Sequence, residues 1–308
     1  MEASRRRERL RFVEVDVGDL RDVGERPARV AFRESGEGPP LVLVHGLGTS
    51  SSVWHLVAPL LAQRWRVLAV DLPGSGLSPP TTEVGGAWHA RLLCRFAEQV
   101  AGEPSALVGH SLAGGLAMLA ALEEPGLFTS VSVVAPGGLG RELALWPRVQ
   151  SLAAVSALAG LLTPSLFRLV GPRRMERVLR YLFARGDEGR AARPLLREAC
   201  HAFSKPTAVR CYCRTLREVA SIRGQRPRYQ LLSRLGDLQV PVLVVWGATD
   251  RVLPVSHGRR AAAAYPDVEL QVIPECGHTP QLECPEQLAE LIEEFTGRGS
   301  AVPRTATA

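Results

Sequence analysis

At 308 residues, with 46% hydrophobic and 22% charged residues, the chain can bury a sizeable core, which excludes wholesale disorder. The length suits one large α/β domain, or one such domain carrying an insertion. A net charge of +6 and a pI near 9.3 invite a nucleic-acid partner. Lys205 is the single lysine, however, and Ala, Gly and Pro are abundant. That bias reads as a solvated, arginine-rich surface, so no nucleic-acid partner is expected.

Residues 1–10 carry Arg5, Arg6, Arg7 and Arg9 with no apolar run behind them. They are expected to be disordered and are not a secretory signal. The six cysteines show neither the paired CxxC of a zinc site nor a small-scaffold framework. Reduced thiols and a cytoplasmic location are expected. No stretch supplies the roughly 20 clean apolar residues of a stable membrane span. Val149 to Phe167 comes nearest, interrupted by Gln150, serines and Pro164. It reads as a buried or lid helix, with interfacial membrane contact as a secondary reading.

In chain order, residues 11–17 and 28–34 alternate apolar and polar and predict a hairpin. Leu41 to Val44 is continuously apolar, as a parallel strand covered on both faces requires. It ends in His45-Gly46-Leu47-Gly48. A helix is predicted from Ser52 to Gln63, a strand over Arg66–Val70, and a helix from Ala87 to Val100. A strand over Ser105–Val108 then turns sharply through Gly109-His110-Ser111 into a helix over Leu112–Leu122. Val131–Val134 closes this first part of the core, residues 1–136.

Residues 137–236 change character. Helical patterns broken by prolines replace the strands, and 19 basic residues stand against 6 acidic ones. This predicts an inserted, strand-free helical lid. The α/β rhythm resumes over 237–296, with strands at Val240–Trp246 and Val268–Ile273 and helices at Ser256–Ala264 and Pro285–Phe295. A disordered tail is expected over 297–308. Strands alternating with helices imply a mostly parallel, doubly wound sheet with right-handed crossovers.

Ligands of such sheets bind beyond the carboxyl ends of the strands. Gly46, Leu47, Ser111, Asp250 and His278 each follow directly on a predicted strand. A serine in a strand-to-helix turn between small residues (Gly109 before it, Ala113 after) fits a nucleophile elbow. A serine hydroxyl needs a base, and the base needs orienting. His278, in a Gly/Pro-punctuated loop, and Asp250, ending the penultimate strand, are the candidates. The chain order Ser111, Asp250, His278 agrees with one known order of such triads. His110 adjoins the serine, but neighbouring side chains on a turn diverge, which makes it a poor base. Backbone N–H groups of Leu112 and Leu47 are the candidate oxyanion donors, with Gly46 letting the loop turn inward and His45 bracing it.

These stretches together resemble the α/β-hydrolase fold. The residues that carry the resemblance are His45-Gly46-Leu47-Gly48, Asp71 to Ser78, Gly109 to Gly114, Trp246 to Asp250 and Gly277 to Pro280. They stand in order over residues 28–136 and 237–296. The resemblance implies a serine hydrolase with an inserted lid and no cofactor or metal. Ser111 sets it apart from relatives with an aspartate nucleophile. Ala135 to Gly140 is similar to the lid entry of meta-cleavage-product hydrolases. Yet Thr49 to Ser52 and Thr279 stand where those enzymes have a Gly-rich loop and a tryptophan.

Leu143, Leu145, Trp146, Leu161, Leu162, Phe167, Leu169 and Tyr181 are candidate walls for a small apolar substrate, although a lid needs apolar residues for its own packing too. Three readings remain. The first is a hydrolase of an ester, thioester or lactone. The second is a carbon–carbon bond hydrolase, lyase or cyclase. The third is a binding module that merely retains the pocket.

Overall fold

The computed structural model describes residues 8–18, 27–170, 174 and 202–300. The hairpin pairs β1 (Arg9–Val15) with β2 (Ala28–Ser35) in antiparallel register. β1 therefore starts inside the segment expected to be disordered. Cross-strand contacts hold it, since Arg11 meets Glu34 at 2.6 Å and Arg29 lies over the Phe12 ring. β3 (Pro40–Val44) is buried at every residue.

The single helix expected over Ser52–Gln63 is broken. The chain makes a 3-10 turn at Ser51–Trp54 and then a short α1 (Ala58–Leu61), because Pro59 has no amide to continue a longer helix. β4 (Arg66–Val70) and α2 (Gly86–Phe96) follow. α2 relaxes into a π turn through Ala101 and ends at Gly102, which takes a left-handed φ of 76°. β5 (Ser105–His110), α3 (Leu112–Glu123) and β6 (Phe128–Val134) complete the first part of the core.

The lid contributes α4 (Leu145–Gln150), α5 (Ala153–Val170) and α6 (Pro206–Val219). It was expected to be free of strands, but β7 (Ala220–Ser221) and β8 (Gly224–Gln225) form a minimal hairpin through Gly224. Tyr181 lies outside the described residues. β9 (Val242–Gly247) begins two residues later than predicted, because Pro241 has no N–H for the ladder. α7 (Ser256–Ala264), β10 (Val268–Ile273), α8 (Pro280–Glu283) and α9 (Pro285–Ser300) finish the described chain. α9 thus runs four residues into the tail that was expected to be disordered from 297.

The eight-stranded sheet has the order β1-β2-β4-β3-β5-β6-β9-β10, parallel from β4 to β10. β5 pairs on the side of β3 opposite β4, so the winding reverses there and leaves a crevice at the strand ends. Side chains alternate between two cores. Leu107 points to the face packed by Trp88, Phe96 and Leu116, and Val108 to the face packed by Trp54, Leu61 and Ile292.

Of the two readings of α5, buried helix or lid helix, the structure excludes the buried one, since Leu161 is 71% and Leu169 85% exposed. Ser156 and Pro164 are its buried residues. Its sequence is apolar all round, so whichever side turns from the protein is apolar as well.

Leu107→Ala is expected to lower unfolding stability by about 2–5 kcal/mol, as a buried truncation does. Leu161→Ala should change it by no more than about 0.5 kcal/mol. Urea denaturation of the two variants measures both. Equal costs would mean that α5 is packed after all.

Candidate active site

Ser111 sits at the apex between β5 and α3 with φ 54° and ψ −117°, a left-handed backbone that a non-glycine residue adopts at a cost. Three backbone hydrogen bonds hold it there. Its N–H donates to Val134 O at 2.9 Å, and its carbonyl accepts from Gly137 and Gly114 at 2.8 and 3.0 Å. Gly109 is required by the same turn, since a Cβ there would strike the Ala113 carbonyl oxygen. Ala113 is fully buried and fits. A side chain on Gly46 would meet Ser111 Cβ at 3.0 Å, so this glycine lets the loop after β3 come against the serine.

The structure brings Ser111, His278 and Asp250 together across 167 and 28 residues of chain. His278 Nε2 lies 3.0 Å from Ser111 Oγ, and His278 Nδ1 lies 2.8 Å from Asp250 Oδ2. A carboxylate only accepts, so Nδ1 carries the proton and Nε2 presents its lone pair to the hydroxyl. The second Asp250 oxygen accepts from the N–H groups of Val252 and Leu253 at 2.7 and 3.0 Å. With no side-chain exposure and both oxygens engaged, that carboxylate is fixed in place.

His110 turns away from Ser111, as a neighbouring residue on a tight turn should. It donates from Nε2 to the His278 carbonyl at 2.8 Å and so pins the loop that carries the imidazole. Burial, followed by the nearby His278, pulls its pKa down to about 3, so it stays neutral. His45 accepts the Leu72 N–H at Nε2 (3.0 Å) and donates from Nδ1 to the Gly46 carbonyl (2.8 Å). It ties the loop after β3 to the loop after β4.

Two carboxylates that the sequence reading left without a role also hold the site's loops. Glu283 accepts from the Gly277 and Thr279 N–H groups at 2.5 and 2.8 Å and from the Thr279 hydroxyl at 2.7 Å. It therefore grips the backbone on either side of His278. Its one sequence signal is an acid a helical turn after Thr279. Buried Asp71 accepts from Ser51 N–H at 2.7 Å and Leu77 N–H at 2.9 Å, which shapes the Asp71–Ser78 loop.

A cavity of about 190 Å³ opens at Ser111 and His278 beneath the lid. Leu47 and Leu112, the candidate oxyanion donors, line it, and Leu112 heads α3, where an N–H has no intrahelical partner. Of the expected walls, Leu143 and Trp146 line it. Leu145, Leu161, Leu162, Phe167 and Leu169 do not. Leu162 is 52% exposed on the outer side of α5, and Phe167 packs its ring against Phe203 at 6.0 Å between centroids. Tyr212 and Leu216 of α6, Gln225 of β8 and Tyr229 take their place, residues whose position in space no linear pattern gives. A second cavity of about 40 Å³ lies by the loop after β3, and Tyr212 borders both. Among the described residues no cluster of three or more His, Cys, Asp or Glu could hold a metal.

The sheet order agrees with the comparisons. Residues 41–291 match the model of the alpha/beta hydrolase family. The chain belongs to that family. An uncharacterized protein of Mycobacterium tuberculosis is 34% identical over 269 residues, 87% of this chain and 78% of that one. A pimeloyl-(acyl-carrier protein) methyl ester esterase of Aeromonas hydrophila is 31% identical over 271 residues, 87% of this chain and 99% of that one. A 2-hydroxy-6-oxo-6-phenylhexa-2,4-dienoate hydrolase of Burkholderia cepacia is 27% identical over 278 residues, 88% and 92% of the two chains. Among solved structures, a thermophilic esterase from Thermogutta terrifontis superposes with a TM-score of 0.72 at 20% identity, covering 94% of this chain and 99% of that one.

Burial pulls His89 down to about 4 and His110 to about 3, both from an ordinary 6.5. Below 6.5 the unfolded chain takes up protons that the folded chain refuses. Their contribution to stability is therefore complete above that pH and is lost as pH falls through the folded values. Tm is expected to decline as pH drops from about 6.5 to about 4, and His89→Asn should flatten part of that decline. Thermal melts across this range check it. Identical slopes for the two proteins would remove His89 from the account.

Proposed function

We propose that this chain is a serine hydrolase that cleaves an ester, thioester or lactone of a largely apolar small molecule. The observation that carries the reading is the Ser111–His278–Asp250 relay, with contacts of 3.0 and 2.8 Å, opening into an apolar cavity.

Ser111 Oγ attacks the substrate carbonyl carbon while His278 Nε2 takes its proton. The Asp250 carboxylate stabilises the imidazolium and holds its orientation. The carbonyl oxygen becomes an oxyanion facing the N–H groups of Leu47 and Leu112. Collapse of the tetrahedral intermediate expels the leaving group, which receives the proton from His278, and leaves an acyl group on Ser111. Water then attacks that acyl carbon and gives a proton to His278. The second collapse releases the acid and returns the proton to Ser111. The Aeromonas relative, named as an esterase, supports this order of preference.

A second reading, hydrolysis of a carbon–carbon bond in a vinylogous diketone, rests on the Burkholderia relative and on Gly137 and Gly138 bordering the cavity. The absence of a tryptophan after His278 weighs against it.

The experiment is a turnover panel of p-nitrophenyl esters of increasing acyl length beside vinylogous diketones. Ester turnover is expected, and Ser111→Ala should lower kcat by about 10³-fold or more. Turnover of a diketone with none of any ester would reverse the ranking. Full activity in Ser111→Ala would end the serine mechanism.

A further inference from the structure

Exposed apolar surface is concentrated in one part of the lid. Of thirteen large hydrophobic side chains exposed among the described residues, nine lie between Leu145 and Leu169. On α5, Leu158, Leu161, Leu162, Leu166 and Leu169 recur at three- and four-residue spacing and form one bare stripe. The other side of the helix is seated, with Ser156 and Pro164 buried and Phe167 against Phe203. α5 is 18 residues long with a mean hydropathy of 1.6, and 11% of it is buried. It therefore lies along the lid with one apolar side unpartnered, at a density that marks a docking surface rather than scattered surface leucines.

Charge selects the occupant. No Asp or Glu occurs from Leu143 to Val170, while Arg148 and Arg168 do. Over residues 137–236 the balance is 19 basic to 6 acidic. Among the described residues, the ion pair that a lid arginine makes is Arg228 with Glu218. A second copy of the chain would set one strongly positive lid against another, which like-charge repulsion opposes. An anionic bilayer offers apolar depth for the leucines and negative headgroups for the arginines. The patch also continues into the cavity, because Trp146, 49% exposed, is one of the cavity's lining residues.

We propose that the α4–α5 face of the lid docks on an anionic lipid surface, with α5 lying in the plane of the interface and Trp146 where the cavity meets it. Docking stands apart from the reaction, and its test reads no turnover.

The Ser111→Ala protein is sedimented with vesicles of phosphatidylcholine alone and of phosphatidylcholine mixed with phosphatidylglycerol. Binding to the mixed vesicles is expected to be about tenfold or more tighter, and to weaken as salt is added. Leu161→Asp with Leu166→Asp should lower that binding about tenfold or more while leaving the circular dichroism and Tm of the parent. Leu169→Gln serves as the variant if the double change does not fold. No binding, equal binding to both vesicles, or unchanged binding by the variants overturns the proposal. So does a dimer in vesicle-free solution that these variants dissociate, which would assign the face to a second copy.

Discussion

The strained backbone of Ser111 is the constraint on which the site depends. A φ of 54° at a serine persists because β6, the first turn of α3 and the Gly137 loop grip its N–H and carbonyl from three directions. That grip sets the Ser111 hydroxyl above the sheet, at the end of a strand, facing the loops after β9 and β10. The two other non-glycine residues with positive φ, Ala135 and Glu275, belong to the same rim. Backbone strain among the described residues thus gathers where the strand ends converge, and the buried central strands β3, β5 and β9 beneath supply the rigidity to hold it.

The loop bearing His278 is held in an equally determined way, chiefly by side chains. His110 takes its carbonyl, Glu283 takes the amides on either side, and Asp250 takes the imidazole. An imidazole fixed from four points presents one lone pair in one direction. That is what proton transfer from a serine hydroxyl demands.

Much of this was legible in the sequence because it depends on local pattern. Val42, Leu68 and Val244 sit in continuous apolar runs, and such runs are how a doubly covered strand reads. Gly46 and Gly109 stand where only a missing side chain permits the approach. Ser111, Asp250 and His278 could be singled out because each follows a strand. What was not legible depends on contacts distant in sequence. The side of α5 left bare cannot be read from a helix that is apolar all round. Leu162 and Phe167 therefore looked like cavity wall and are not, whereas Tyr212 and Gln225 are. The one signal Glu283 carried, an acid a helical turn after Thr279, did not single it out, because a lone carboxylate in a helical turn ordinarily faces water.

The central claim is that Ser111 is an activated nucleophile. Its most direct measurement is reaction of the wild-type protein with a fluorophosphonate, followed by mass spectrometry of the digested adduct. The account predicts one phosphonyl group, on the peptide containing Ser111, and no adduct when His278→Ala disables the base. An unlabelled wild-type protein, or an adduct on another residue, would contradict it.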